Sequence, residues 1–382
     1  MTGNTFDAIV VGLGGMGSAA LFELARRGRR VLGLEQFVPG HDQGSSHGQT
    51  RIIRQAYYEH PAYVPLVRRA YERWYDLEQR QGVHLLTTCP CLSIGPPDGE
   101  LVEGVRRSAA EHSLLIENLT AAEMRQRFPA FRFGEEYEAV VEPTAGFLYI
   151  EECVKAHVRE AERLGAVVHA GEPTISWQAA GNGVEVVTAK GRYGAAKLIL
   201  TAGPWAGGLL ARHGAALTVM RQVPLWFGSS DAAQFRRDRF PVFIADTPEG
   251  HFYGLPAIDS NGVKVARHYG APELPGPSAI ERTVTDADEA PVRRFLREHI
   301  PSADGPRRRS SVCIYTLTPD RHFIIDRHPD HANVAIAAGF SGHGFKFASV
   351  VGEILADLVE TGWAVLPIEL FRIGRFREAE AR

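Results

Sequence analysis

The chain has 382 residues, with 42 basic against 45 acidic side chains and a formal charge of −3. Charge this near balance lacks the concentrated positive field that a nucleic-acid surface needs, and 45% hydrophobic with 23% charged residues excludes disorder, collagen and coiled coil for the bulk of the chain. The length suits two domains.

Ala8-Ile9-Val10-Val11 predicts a strand, Gly12-Leu13-Gly14-Gly15-Met16-Gly17 a tight turn, residues 18–27 a helix stopped by Gly28, and residues 31–35 a second strand. An Arg/Glu-laced helix is expected over 62–82, and residues 83–149 read as short strands and Pro- or Gly-containing turns. A helix at 153–164 and strands at 166–169, 183–188 and 197–201 come next. Residues 216–275 alternate short β-like runs with turns, and 286–299 is a charged helix. A buried strand at 334–338 ends in the glycine-dense turn 339–344, and a long helix runs from 346 to about 361. There are no internal repeats or low-complexity linkers.

These signals predict an α/β protein, α+β overall. A doubly wound, discontinuous cofactor domain takes residues 1–82, 150–215 and 305–382, and an inserted substrate domain on a large mixed β-sheet takes 83–149 and 216–304. No apolar run approaches the ~18 residues of a membrane helix, and no basic segment opens the chain as in a signal peptide. Four cysteines are too few for a disulfide framework, and Cys89 and Cys91, flanking Pro90, lack metal-site spacing. The expectation is a reduced, cytoplasmic protein with no membrane, nucleic-acid or metal partner. Only five of the 42 basic residues are lysines: Lys155, Lys190, Lys197, Lys264 and Lys346. An ammonium is a compact charge that can lose its proton when buried, which a guanidinium does not.

Gly12-x-Gly14-x-x-Gly17 lies between strand and helix, and Glu35 follows at the end of the second strand. The first glycine permits the turn, the second lets the backbone approach a pyrophosphate, and the third allows close helix–strand packing. The helix start offers free N–H groups to phosphate, and Glu35 can accept from ribose hydroxyls, which disfavours a 2′-phosphate. The pattern alone does not separate FAD from NAD. No second such motif follows, which disfavours a separate nicotinamide site. After the second strand comes the polar loop 40–54, where Arg51 and Arg54, three apart, can present two guanidiniums on one side of a helical turn, suited to a carboxylate.

Ser46-His47-Gly48-Gln49-Thr50-Arg51-Ile52-Ile53-Arg54, Cys313-Ile314-Tyr315-Thr316, Phe323-Ile324-Ile325-Asp326 and Gly339-Phe340-Ser341-Gly342-His343-Gly344-Phe345-Lys346 closely resemble the monomeric sarcosine oxidase and N-methyltryptophan oxidase family, within the D-amino-acid-oxidase fold group. The motifs keep the family's order and spacing, essentially end to end. The resemblance implies FAD joined through its 8α-methyl to the sulfur of Cys313, held also by Gly12, Gly14, Gly17, Glu35, Ser45, Thr50, Gly342, Gly344 and Lys346. It implies that Arg54 and Lys346 hold the substrate carboxylate and that Arg51 lies against the flavin. His47, Tyr253, His268 and Tyr315 would line the substrate cavity, and Lys264 would assist oxygen activation. It further implies a monomer that passes electrons from a small amine to oxygen and releases hydrogen peroxide. Sarcosine is the expected substrate, with a bulkier N-methyl amino acid, a cyclic imino acid or a carrier-coupled dehydrogenase as alternatives. Gln49 replaces the family's usual acid, Ser46 replaces a usual histidine, and Val242-Phe243-Ile244-Ala245 matches no one member.

Overall fold

A computed structural model describes residues 5–210 and 216–376; residues 1–4, 211–215 and 377–382 of the expected cofactor domain lie outside it. The opening strand Thr5–Val11 is longer than the four-residue apolar run. It pairs in parallel with Val31–Leu34 on one side and Arg192–Leu200 on the other. Val167–His169 continues the parallel sheet beyond Val31–Leu34, and His331–Ala338 pairs in parallel with the last residues of Arg192–Leu200. All four residues of Val31–Leu34 are buried, as expected of a parallel strand covered on both faces. Antiparallel hairpins, Thr174–Ala180 with Gly183–Thr188 and Ile324–His328 with His331–Ala338, complete this sheet. One face is covered by helices Gly15–Arg26, Ile150–Arg163 and Ala348–Glu360. Gly352 sets their closeness: a Cβ there would sit 2.5 Å from the Ala19 carbonyl carbon.

The second large sheet is mixed. Its order is Arg307–Ser310, Leu225–Phe227, Val263–Arg267, Gly250–Leu255, Val242–Thr247, Cys91–Gly95, Glu138–Glu142, Glu117–Thr120. Helix Asp286–His299 packs on it through Phe295, whose ring stacks on Phe252 at 4.3 Å and Phe243 at 5.9 Å. Two three-stranded sheets lie outside these layers: Thr50–Ile53, Gly146–Tyr149 and Leu86–Thr88; and Glu273–Leu274, Thr218–Gln222 and Cys313–Leu317. Among the described residues no helix is long and apolar enough to cross a membrane.

Three local expectations change. Residues 83–149 contain helices Glu100–His112 and Ala121–Arg127 as well as strands. The first buries Leu101, Val102, Val105 and Ala109, a helical stripe among charged residues, and the second starts from a Thr120/Glu123 capping box. Arg51 is not on a helical turn: Thr50–Ile53 is a strand, favoured by the β-branched Ile52 and Ile53, and Arg54 follows its end. Strand Arg307–Ser310, beyond residue 304, extends the second sheet by pairing with Leu225–Phe227.

Candidate active site

A long cleft opens at the carboxyl ends of the parallel strands, about 1470 Å³ including the space open to solvent. Gly12 has φ +86°, and a Cβ on Gly17 would lie 1.8 Å from Gly12 O, so neither accepts a side chain. A Cβ on Gly14 would meet only Ser46 Oγ, 3.5 Å away, which leaves this face open to a ligand. The helix Gly15–Arg26 has no side-chain cap from Gly14, and Gly15 N donates to Ser46 Oγ at 3.0 Å. Such a helix start is an anion site. Glu35 is 3% exposed and accepts from Leu13 N (2.7 Å) and Phe37 N (3.0 Å), so its carboxylate also braces the glycine turn. Thr174, Trp177 and Trp205 line one part of the cleft, and Ser45, Arg51, Tyr315, Gly342 and Gly344 another. An FAD molecule fits this cleft: phosphates at the helix start, ribose toward Glu35, an aromatic end among the tryptophans.

A second, smaller cavity adjoins it, about 560 Å³ with its mouth. Arg51, Tyr315, Gly342 and Phe345 line both cavities. Gly342 has φ +84°, and a Cβ there would strike the Tyr315 ring at 2.3 Å, so the glycine turn and this ring form one wall. The rest of the smaller cavity is lined by Ile52, Arg54, Tyr58, Glu59, Ile244, Tyr253, His268, His343 and Lys346.

Besides Arg51, two cations face this space. Arg54 is 3% exposed; it donates to Ala56 O at 2.9 Å and to Glu59 Oε2 at 2.8 Å, with its guanidinium carbon 4.3 Å from the Tyr57 ring centre. The Glu142 carboxylate fixes the backbone just beyond by accepting from Gln55 N and Ala56 N. Lys346 Nζ donates to His343 O at 2.7 Å and Tyr57 Oη at 3.3 Å. Burial, then the Arg54 charge, lowers the Lys346 ammonium to about 7, against opposition from Glu59. Burial pushes the Glu59 carboxyl up, but Arg54, His343 and Lys346 outweigh it and bring it to about 2, so Glu59 stays ionised. Glu59 and Tyr57 join the site only in the structure; Glu59, beside aromatic residues, carries no sequence signal that sets it apart from a surface acid.

His268 Nδ1 lies 3.0 Å from Tyr315 Oη, and its ring stands edge-on to Tyr253 at 5.8 Å. Burial lowers His268 to about 3, leaving a neutral imidazole at ordinary pH. His47 does not join this group. It is 2% exposed, with Nδ1 3.3 Å from Ser311 Oγ, and it lies on the Cys313 side.

Arg51 Nη2 donates to Cys313 Sγ at 3.0 Å and to Ser45 O at 3.2 Å, and Ser45 Oγ donates to Ile314 O at 2.5 Å. Burial alone would raise the Cys313 thiol. His47, Arg51 and Lys264 override it and lower the thiol to about 6. Burial instead pushes Cys89 up to about 11 and also raises Cys91 and Cys153, so Cys313 alone among the four has thiolate character. Lys264 is 1% exposed on strand Val263–Arg267, with Nζ donating to Gly48 O (2.8 Å) and Thr50 O (2.7 Å), 5.2 Å from the Trp226 ring centre. Burial and then Arg51 lower its pKa well below the usual lysine value. Neither Lys264 nor His47 lines either cavity.

A dinucleotide cleft joined to a cation-lined cavity by an arginine and an aromatic wall defines a cofactor-dependent oxidoreductase. The sequence pattern described as FAD dependent oxidoreductase matches residues 7–358. Monomeric sarcosine oxidase of Streptomyces avermitilis is 43% identical over 382 residues, 99% of each chain. N-methyl-L-tryptophan oxidase of Yersinia pestis is 35% identical over 376 residues, 97% of this chain and 100% of that one. The solved structure of NikD, an amino acid oxidase of nikkomycin biosynthesis, superposes with a TM-score of 0.86 at 26% identity, covering 97% of this chain and 98% of that one. The chain belongs to the FAD-dependent oxidoreductase family, among its sarcosine and N-methyltryptophan oxidases, and is an FAD-dependent amine oxidase.

Proposed function

We propose that the chain oxidises sarcosine with O2 and water to glycine, formaldehyde and hydrogen peroxide, acting as a monomer. The observation that carries this reading is the small cavity faced by the buried cations Arg54 and Lys346, with Arg51 at its boundary with the cleft and Glu59 paired to Arg54, and with the large side chains Tyr58, Ile244, Tyr253, His268 and Phe345 in its wall. Fixed cations suit an amino-acid carboxylate, and the large walls suit a substrate without a bulky side chain. The relative at 43% identity, named for sarcosine and for being monomeric, supports the same reading.

Bound FAD supplies the acceptor for the electron pair lost at the carbon–nitrogen bond. It would be held at Gly12, Gly14, Glu35, Ser45, Gly342 and Gly344, which line the cleft, and through Cys313, whose lowered thiol suits covalent attachment. Gly17, Thr50 and Lys346 do not line the cleft: Gly17 packs against the Gly12 turn and Thr50 gives its carbonyl to Lys264. Arg54 and Lys346 anchor the carboxylate, and Glu59 must yield Arg54 to it. The neutral His268, oriented by Tyr315, can hold the proton of the substrate amine. Arg51, beside Cys313 and in the wall of both cavities, supplies positive charge where negative charge develops. Lys264 is read as the cation that favours reaction with oxygen. A peroxide-coupled assay over sarcosine, N-methyltryptophan, pipecolate and proline tests the substrate. Highest kcat/KM on sarcosine is expected, and preference for either a bulky or a cyclic substrate overturns the reading.

A further inference from the structure

Lys264 is held by two carbonyls that belong to one strained turn. Thr50 N donates to Gly48 O at 2.8 Å around Gln49, which has φ +67°. This is a γ-turn with positive φ at a non-glycine residue, a rare and costly conformation that persists only when surroundings fix it. One carboxylate sits behind it. Glu151 Oε1 accepts from Gly48 N at 2.8 Å and from Gln49 N at 3.1 Å. The next link runs the other way, with Ile150 N donating to Gln49 O at 3.0 Å. With those two amides drawn to Glu151, Gly48 O and Thr50 O both face Lys264 Nζ and accept from it, Gly48 O in addition to Thr50 N and Thr50 O in addition to Arg51 Nη1. Gly48 has φ +94°, a backbone conformation that suits glycine, although a Cβ there would only make ordinary contacts with Arg51, Trp226 and Lys264. An acid in the first turn of helix Ile150–Arg163 would ordinarily favour that helix's own N-terminus. This carboxylate reaches, besides its own amide, to two amides outside the helix.

We propose that Glu151 is a positioning residue that holds the Gly48–Thr50 turn in the form that seats the Lys264 ammonium, and that its negative charge helps keep that ammonium charged beside Arg51. The consequence for oxygen reactivity rests on the reading of Lys264 given above. The charged and titratable groups facing Lys264 are Arg51 and Arg309, which oppose its charge, and Cys313 and Glu151, which favour it.

The test uses the flavin-loaded enzyme grown with lysine carrying carbon-13 at Cε. Five lysines give five signals, and Lys264→Met identifies the one from Lys264. In Glu151→Gln the Lys264 signal should move, and its titration midpoint should fall by roughly half a pH unit or more, because a nearby anion has been removed. The signals of Lys190 and Lys197, far from Glu151 in the sequence and outside its helix, should stay. An unmoved Lys264 signal with an unmoved midpoint overturns the proposal. Glu151→Asp, which keeps the charge but shortens the reach, is the second variant if Glu151→Gln folds poorly; a shifted signal with a nearly unchanged midpoint is expected, and an unmoved signal again overturns the proposal. In stopped flow, Glu151→Gln should slow reoxidation by oxygen roughly tenfold and do nothing further in a Lys264→Met background. Equal slowing in both backgrounds means that Glu151 does not act through Lys264. If Lys264→Met itself leaves reoxidation intact, the reading of Lys264 fails, while the lysine spectrum still judges the positioning claim.

Discussion

Arg54 and Glu59 form a buried ion pair, Nη2 to Oε2 at 2.8 Å, on the wall of the cavity assigned to the substrate carboxylate. An incoming carboxylate therefore competes with an internal one. Glu59→Gln removes the competitor and should tighten acetate binding by roughly tenfold, read from perturbation of the flavin spectrum. The same change leaves Arg54 buried without its partner, so Tm without ligand should fall. Unchanged or weaker acetate binding would show that Glu59 does not compete.

The second cation gives a pH signature. Lys346, at about 7, is charged below that pH and neutral above it. Acetate affinity should thus fall as pH rises through about 7 and become flat in Lys346→Met. Acetate has no amine to titrate in this range, and Glu59, at about 2, stays ionised across it. Arg54→Ala should cost roughly 1.5–3 kcal/mol in acetate binding while leaving an uncharged amine little affected. Equal losses for both ligands would remove Arg54 from the clamp.

Cys313 stands apart from the other cysteines by its cationic surroundings, Arg51 at 3.0 Å and His47 nearby. A thioether survives acid, so the purified protein should stay yellow through acid precipitation. Cys313→Ser should release any flavin under the same treatment. Flavin that washes out of the wild type in acid contradicts the attachment.

How much of this was legible depended on range in the sequence. Gly12, Gly14, Gly17 and Glu35 fall within one strand–helix–strand unit, so that unit was legible from local spacing. Helix Asp286–His299 carried its own periodicity and was read with both ends in place. Helices Glu100–His112 and Ala121–Arg127 were missed because Pro96, Pro97 and Gly99 suggested turns throughout, although Thr120 and Glu123 spelled a capping box. Arg54 and Lys346 were legible through motif resemblance, and the structure places both on one cavity. Glu59 and Glu151 were not legible: one looks like an ordinary acid between aromatic and histidine residues, the other like an ordinary helix-start acid. The ion-pair partner of Glu59, Arg54, is near in sequence, but the Lys346 charge beside it and the Gly48 amide that Glu151 accepts from are brought close only by the tertiary fold.

Lys264 gives the sharpest test of the oxygen half of the reaction. Its ammonium is buried, fixed by two carbonyls and close to Arg51, an arrangement that costs stability and is the kind kept at functional sites. Superoxide formed in a dry site is an anion that a fixed cation stabilises strongly. Lys264→Met keeps length and apolar volume and deletes the charge. Reoxidation by oxygen should slow by about two orders of magnitude or more, a loss comparable to removing one preorganised donor. Anaerobic reduction by substrate should slow much less, because Lys264 does not line the substrate cavity. Lys264→Arg should rescue only in part, since a planar fork does not match a seat built from Gly48 O and Thr50 O around a compact ammonium. Stopped-flow measurement of the two half-reactions decides, and a larger effect on reduction than on reoxidation would make Lys264 a substrate-side residue instead.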